Sequence, residues 1–400
     1  MTDVGTMALA KPLDELTFDD IKRLKENRIE ESVILDYKQA LIDDDSFIKS
    51  VSSFANTQGG VIVFGVEESG KGGYPTAIPG LDLTDVNKER LEQLILSNIH
   101  PRLFVRVAAV PHEHKTKCVL IVRIPDSYIK PHMNNRDSRY YRRYNFEAQP
   151  MTETEVADAY RRRMSSSREV DEYVRELHST HRLPHFLHGQ IAVIPQILDK
   201  RIIDSYDPSS VSWIDPNTID FKPSGFIWAP KHGYLPGPPR PFARGIVCAR
   251  KDDADRLSEY LEIHRNGCVA YGDDFAAPEE TSGNTTRIFQ GAIFCVRLLH
   301  TLQFANSLYS RYNYFGDVRI VVRLEETSGL YLQIGRFASS RAECASVMIA
   351  VEREFPSSML GTHFSWIASG IMHEIFNHFE VWRCHYFDDE GNYLVDKLNA

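Results

Sequence analysis

The chain has 400 residues, 42% hydrophobic and 25% charged, an ordinary globular balance that excludes collagen-like, coiled-coil and wholly disordered chains. At about 150 residues per domain the length suits two domains. Lys and Arg number 46 against 55 Asp and Glu, a formal net charge of −9. This excludes a uniformly basic nucleic-acid coat but leaves room for a local basic groove, because binding responds to local potential.

The six cysteines are scattered and none forms a CxxC pair, so the sequence offers neither a zinc ribbon nor a thioredoxin-like site. The N-terminus MTDVGTMALAKPLDEL has no apolar core, and no apolar run reaches about 18 residues. A cytoplasmic protein without signal peptide or membrane span is therefore expected.

Taken in chain order, Thr17 suits the N-cap of a helix over 17–28 with Ile21 and Leu24 as its apolar stripe. Residues 31–41 alternate as a strand, which places Asp36 and Lys38 on one face. Phe47, Ile48, Val51, Phe54 and Ala55 carry helical spacing over 45–57, and Gly59 and Gly60 suit the turn that follows. VIVFGV over 61–66 is a buried strand. A Gly/Pro-rich loop over 67–80 precedes a helix over 83–99, and RLFVRVAAV and KCVLIVRIP are two further strands. Residues 151–164 form a closing helix, and SSSRE marks a boundary after which the excess acid is concentrated. In the second half, strands are expected at GIVCAR, GCVAYG, DVRIVVRL and GLYLQIG, the last two as a hairpin turning at ETSG. Helices are expected at 251–264, 286–310, 340–354 and 357–382, and no internal repeat is visible. The fold class is α+β in two domains: residues 1–164, a mixed sheet with flanking helices, and 185–400, an α+β domain of unassigned type, joined by a linker over 165–184.

Three acids stand where the strands would bring them together: Glu31 before the first strand, Asp36 on it, and Glu67 at the end of VIVFGV. Convergent carboxylates repel unless a divalent cation sits among them, and Mg²⁺ or Mn²⁺ suits an all-oxygen site. Such an ion polarises a phosphodiester and acidifies a bound water. Lys38 would contact phosphate or stabilise developing charge. The plain alternative is a solvated strand face, with Glu31 paired to Arg28 and Glu67 and Glu68 in a loop.

The ordered series ESVILDYKQAL, FANTQGGVIVFGVEESG, VLIVRIPDSYIKP and RYYRRYNFEAQPMTETEV resembles the Schlafen-type AlbA domain family over residues 27–163. The resemblance implies a nucleic-acid-handling domain. Some members are RNA endonucleases that act on tRNA and similar folded RNAs through three acids and a divalent metal; others are described only as DNA-binding or ATP-binding. Position by position, the first family acid falls on Glu31. The second falls on Asp36, where the family more often has Glu. The third falls on Glu67, where it usually has Asp, with Glu68 as the neighbouring candidate. Two acids thus differ in length by one methylene. The family also places Asn56 near the acidic corner, where it would orient a carboxylate; turn geometry alone accounts for Gly59 and Gly60.

The segment KPHMNNRDSRYYRRY sets Lys130, Arg136, Arg139, Arg142 and Arg143 against one acid, with Tyr140, Tyr141 and Tyr144 interleaved. Arginines neutralise phosphates and tyrosines stack on unpaired bases. Alternation places Arg139, Tyr141 and Arg143 on one face, and the alternative is a sheet strand with solvated arginines and packed tyrosines. HEIFNH at 373–378 is not a zinc motif, because its histidines are five apart rather than four. The histidines of HRLPHFLHG, His181, His185 and His188, are interrupted by Pro184. There is no Walker-type GxxxxGK[ST] and no GxSxG, so ATP binding has no motif behind it.

The reading is a metal-dependent endonuclease, RNA favoured over DNA as substrate. Glu31, Asp36 and Glu67 hold the metal, Lys38 contacts phosphate, and Lys130, Arg136, Arg139, Tyr141, Arg142 and Arg143 bind nucleic acid. A homodimer would double the narrow basic strip. Two alternatives stay open: a non-catalytic DNA-binding regulator, and a ligand-sensing protein whose second domain controls the first.

Overall fold

A computed structural model describes residues 9, 13–70, 73–180, 188–199, 201–203, 213–214, 236–251, 255, 257–281, 284–312, 314–335 and 338–398. Its backbone contacts divide the chain into two compact units: Met1–Arg168 with Ser310–Gly316, and Glu169–Tyr309 with Asp317–Ala400. Both units mix helices and sheets, as the α+β reading expects.

The first unit begins with α1 (Phe18–Glu26), started by a capping box in which Thr17 Oγ1 and the Thr17 N–H both donate to Asp20 Oδ2, at 2.8 and 3.0 Å. Strand β1 (Leu35–Lys38) follows, then α2 (Asp44–Ala55), whose first turn is held by Asp43 Oδ1 accepting the Ser46 N–H at 2.9 Å. After α2 come β2 (Gly60–Phe64), the two-residue β3 (Glu67–Glu68), β4 (Pro75–Ala77), β5 (Leu81–Asp82), α3 (Lys88–Asn98), β6 (Ile99–His100), β7 (Arg106–Pro111) and β8 (Lys117–Ile124). Strands β9 (Met133–Asn134), β10 (Arg139–Tyr144) and β11 (Glu147–Pro150) lead into α4 (Glu153–Thr180). The main sheet has the order β1-β2-β8-β5, with β7 also on β8; β1 and β2 are parallel neighbours and the other pairs antiparallel. A second sheet runs β11-β10-β9-β6, and β3 and β4 form a separate ribbon.

Each face of the main sheet has its own core. Ile62, Phe64, Leu120 and Val122 pack with Phe47, Phe54, Leu91 and Ile95 of α2 and α3. Leu35, Tyr37, Val63 and Ile121 pack with Ile21 and Leu24 of α1 on the other face. The turn between α2 and β2 demands both of its glycines: Gly59 (φ +67°) and Gly60 (φ +148°) lie in backbone regions that side chains rarely adopt. A Cβ on Gly60 would also lie 2.4 Å from the Ile34 carbonyl oxygen.

The linker expected over 165–184 is helical as far as Thr180, because α4 continues without interruption through the serines of SSSRE; residues 181–187, with His181 and His185, lie outside the described residues. Segment Ser310–Gly316 belongs to the first unit, which nothing in the sequence suggested.

The second unit holds a seven-stranded antiparallel sheet, β13-β14-β15-β16-β12-β19-β22. Its strands are β12 (His188–Pro195), β13 (Arg240–Phe242), β14 (Gly245–Lys251), β15 (Leu257–His264), β16 (Val269–Asp274), β19 (Asp317–Glu325) and β22 (Met348–Pro356). A four-stranded sheet joins β17 (Ala276–Thr281), β18 (Asn284–Phe289), β20 (Leu330–Gly335) and β21 (Ala338–Glu343). Helix α5 (Gly291–Arg311), the short α6 (Met359–Thr362), α7 (Phe364–Asn377) and α8 (Val395–Leu398) complete it.

Three expectations fail in this unit and a fourth is shortened. The helix read over 251–264 is strand β15; its Glu259 and Glu262 are buried, accepting bonds from Arg297 Nη2 at 2.7 Å and lying 2.8 Å from His264 Nε2. Those acids look like the wet face of a helix because their partners are remote in sequence or written into the strand itself. The helix read over 340–354 is the strand pair β21 and β22, and that read over 286–310 begins only at Gly291, after β18. The hairpin read over 317–335 does not form: β19 pairs with β12 and β22, while β20 pairs with β18 and β21 in the other sheet. No helix among the described residues is long and apolar enough to cross a membrane, and all six cysteines are buried free thiols.

Candidate active site

Parallel pairing places Asp36 beside Ile62 and Lys38 beside Phe64, so the face carrying this acid and base is the one covered by α2. Asp36 is 3% exposed. Its Oδ1 accepts from Lys38 Nζ at 2.8 Å and lies 3.8 Å from Arg143 Nη2. Lys38 Nζ also donates to the Tyr37 carbonyl at 3.1 Å, which fixes the ammonium against the strand.

Glu31 reaches the same place from the turn before β1. Its backbone N–H donates to the Gly73 carbonyl at 2.7 Å, and its Oε1 accepts the Tyr37 N–H at 2.8 Å. Burial, and then the adjacent Asp36 side chain, push the Glu31 carboxyl up to about 8; the Tyr37 N–H pulls in the opposite direction, and Glu68 adds a smaller upward push. A carboxyl so displaced, beside a second carboxylate, is an arrangement typical of functional clefts.

The third expected acid is not there. Glu67 is exposed on the β3–β4 ribbon, opposite Ala77, and the acid whose side chain acts on Glu31 is its exposed neighbour Glu68. Among the described residues no three His, Cys, Asp or Glu side chains converge as a metal-ligand set.

Arg143 departs furthest from its expected place. The sequence places it in an outer nucleic-acid strip, but it is 4% exposed. Its guanidinium stacks on Phe54 at 4.2 Å and faces Asp36, with no hydrogen-bond partner for Nε. Burial lowers its pKa, opposed by Asp36 and Glu31. The alternation on β10 holds, but the face shared by Arg139, Tyr141 and Arg143 turns inward after Arg139. Tyr141 is buried and its hydroxyl bonds Asp137.

Asn56 does not orient a carboxylate. It is buried, its amide donates to the His132 and Tyr141 carbonyls at 2.8 and 2.9 Å, and its Oδ1 accepts the His132 N–H at 2.6 Å. Thr57 Oγ1 accepts the Arg143 N–H at 3.0 Å. These two residues tie β10 to the end of α2 and so set the depth of Arg143. Lys130 is similarly occupied, donating to the Thr57 carbonyl and to Asp126 Oδ1, both at 2.6 Å.

The surface strip is therefore shorter than expected. Arg136 is exposed and paired with Asp45, and Arg139 is exposed. Arg142 lies 3.7 Å from Glu155 and 5.9 Å from the Tyr144 ring centre. Beside them are two exposed rings: Tyr144 at 40%, one of the interleaved tyrosines of the sequence reading, and Phe146 at 56%, which that reading does not single out. Tyr144 shares the outward positions of β10 with Arg142; Phe146 sits in the turn after β10, where periodicity gives no guide.

Residues 31–152, less than a third of the chain, match the Schlafen AlbA_2 family model. No curated protein sequence matches the chain. One similar solved structure is a protein of Corynebacterium diphtheriae, 17% identical over 37% of this chain and 28% of that one, with a TM-score of 0.26. Another is the N-terminal domain of a RecG-related protein from Nitrosomonas europaea, 20% identical over 37% of this chain and 92% of that one, with a TM-score of 0.25. The acid pair, the FANTQGG turn that fastens β10, and the β10 strip all fall inside the matched span, and residues 31–152 are a Schlafen AlbA_2 domain.

Proposed function

We propose that the Schlafen AlbA_2 domain handles nucleic acid and cleaves it, with RNA as the preferred substrate, as a metal-dependent endonuclease. The observation that carries this reading is the burial of Glu31 against Asp36, beside Lys38 and beside Arg143, whose strand β10 bears an exposed arginine and aromatic strip. The donors are all oxygen, which suits Mg²⁺ or Mn²⁺. Glu31 and Asp36 would hold the ion, which keeps several of its own waters when one or two carboxylates bind it. Bound there, the ion would polarise a phosphodiester and acidify a water. Lys38, already beside Asp36, would turn its ammonium to a phosphate oxygen, while Arg139 and Arg142 neutralise phosphates and Tyr144 and Phe146 stack on unpaired bases. Unpaired bases are the commoner target in RNA recognition, which favours RNA over duplex DNA.

Purified protein with Mn²⁺ should nick tRNA or single-stranded RNA, and Glu31→Gln and Asp36→Asn should not. Equal cleavage by all three proteins would remove the proposal.

A second reading has its own support: Asp36 is already balanced by Lys38 and Arg143, as in a site that binds without cutting. It expects salt-sensitive nucleic-acid binding that ignores chelator and weakens in Arg139→Ala/Arg142→Ala. Loss of binding on chelation would count against it.

A further inference from the structure

The second unit contains a cavity of about 520 Å³ between one face of α7 and the loop over 383–391, within the 300–1,000 Å³ range usual for small-molecule sites. Five residues of α7 line it, among them Trp366, Gly370 and His373 at helical spacing. Gly370 lies inside a 14-residue helix, where glycine is a poor helix former. Neither backbone nor packing asks for it: its φ is not positive, and a Cβ built on it would meet nothing within 4 Å. What the glycine does is keep the cavity floor open.

The walls have matching chemistry. Trp366, 54% exposed, stands edge-on to Phe355 at 6.2 Å, leaving much of the indole to the cavity. His373 Nδ1 donates to the Ser369 carbonyl at 2.6 Å, which directs the lone pair of a neutral ring to Nε2, and no described residue bonds that nitrogen. Two arginines lie at the rim. Arg353 pairs with Glu374 and Arg383 with Asp389, both as exposed bridges of the kind that exchange partners cheaply. The lining carboxylate of Asp388 is spent on its own turn, accepting from the Glu390 and Asn392 N–H groups.

We propose that this cavity binds a single nucleotide, its base laid over Gly370 against Trp366 and edge-on to His373 Nε2, its phosphate taken by Arg353 and Arg383. The nucleotide is either free or an unpaired residue of a strand. The site uses no residue of the Schlafen AlbA_2 domain and does not rest on cleavage there.

The test is calorimetric titration of the full chain, in chelator, with AMP, GMP, CMP and UMP, with adenosine and inorganic phosphate as part-ligands, and with a single-stranded RNA oligonucleotide. At least one mononucleotide or the oligonucleotide should bind, and adenosine and phosphate should bind about tenfold or more weakly by comparison. A stronger response to the oligonucleotide identifies the strand as the source, and a stronger response to a mononucleotide identifies the free ligand. Gly370→Leu fills the floor with a better helix former, so it should keep or raise the melting temperature while weakening binding about tenfold or more. Trp366→Leu should weaken binding without the floor being touched. No binding by any mononucleotide or the oligonucleotide at millimolar concentration, or wild-type binding by both variants, overturns the proposal. Because chelator is present throughout, a negative result leaves the cleavage reading untouched, and a failure of cleavage leaves this one untouched.

Discussion

Replacing Glu31 by Gln should stabilise the protein, increasingly as pH rises from about 4.5 to 8 and fully above that. The displaced carboxyl titrates near 8 in the folded chain against an ordinary value of 4.5. Below pH 4.5 both the folded and unfolded forms hold the proton and the group contributes nothing. Between 4.5 and 8 the unfolded chain has released the proton while the folded one keeps it, so stability falls as pH rises; above 8 the full penalty persists. Each pH unit of displacement is worth about 1.4 kcal/mol, which bounds the penalty at about 5 kcal/mol. The side chain is only half-buried, and water screening should reduce the measurable part to about 2 kcal/mol. Glutamine mimics the protonated acid: its carbonyl still accepts the Tyr37 N–H, and its amide can donate toward Asp36. Urea unfolding of the full chain in chelator, followed through the transition of the first unit, should find variant and wild type within about 0.5 kcal/mol at pH 5. At pH 9 the variant should be more stable by about 2 kcal/mol. Asp36, Lys38, Arg143 and Glu68 face this position in both proteins, so the difference reads their interaction with the Glu31 charge together with its burial. A difference that stays flat from pH 5 to 9, or a variant that is weaker at pH 9, would refute the burial of Glu31 against Asp36.

Other substitutions separate the inner arginine from the outer one. Arg143→Leu removes the buried partner of Asp36 and should cost about 3 kcal/mol in urea unfolding, whereas Arg142→Ala should stay within about 0.5 kcal/mol. Titrations of RNA binding at several salt concentrations should show Arg142→Ala weakening affinity and reducing the salt slope by about 1. Asn56→Ala strips partners from the His132 N–H and from the His132 and Tyr141 carbonyls, and should lower stability by about 2–4 kcal/mol, seen as a fall in melting temperature. Gly60→Ala should be at least as damaging, through both its backbone angle and the 2.4 Å approach to the Ile34 oxygen, and should lower soluble yield as well as melting temperature.

The first unit was readable because its signals are local. Thr17 and Asp20 cap within one turn, the apolar residues of α2 repeat at helical spacing, and Gly59 and Gly60 mark a turn only glycine fits. Period-two alternation paired Asp36 with Lys38 correctly, but it cannot say which face is wet. Arg143 lies inside because β10 is fastened to the end of α2 by Asn56 and Thr57, a contact some 85 residues long in sequence. The choice between Glu67 and Glu68 turned on a two-residue ribbon, too short for any periodicity to fix its register. In the second unit, β15 carries acids at positions that face a core, where Arg297, Arg250 and Tyr271 meet Glu259 and the neighbouring His264 meets Glu262. Composition marks such residues as exposed, which is why the strand reads as a helix.

The geometry of β10 links the two halves of the proposed chemistry. Consecutive residues of a strand point to opposite faces at a rise of about 3.3 Å. Arg142 therefore faces outward toward Glu155 while Arg143, the next residue, faces inward toward Asp36. A phosphate drawn to Arg142 is thus positioned one backbone thickness from the acid pair, by a strand whose depth is fixed at Tyr141 by Asn56 and at Arg143 by Thr57. This is why the conservative exchange Asn56→Asp is informative beyond stability. It removes the two amide donors to His132 and Tyr141 while keeping an acceptor for the His132 N–H. If β10 sets the distance between strip and acids, Asn56→Asp should bind RNA with nearly wild-type affinity through the intact arginines but cleave it about tenfold or more slowly. Parallel losses in binding and cleavage would instead mean that the turn merely holds the domain together.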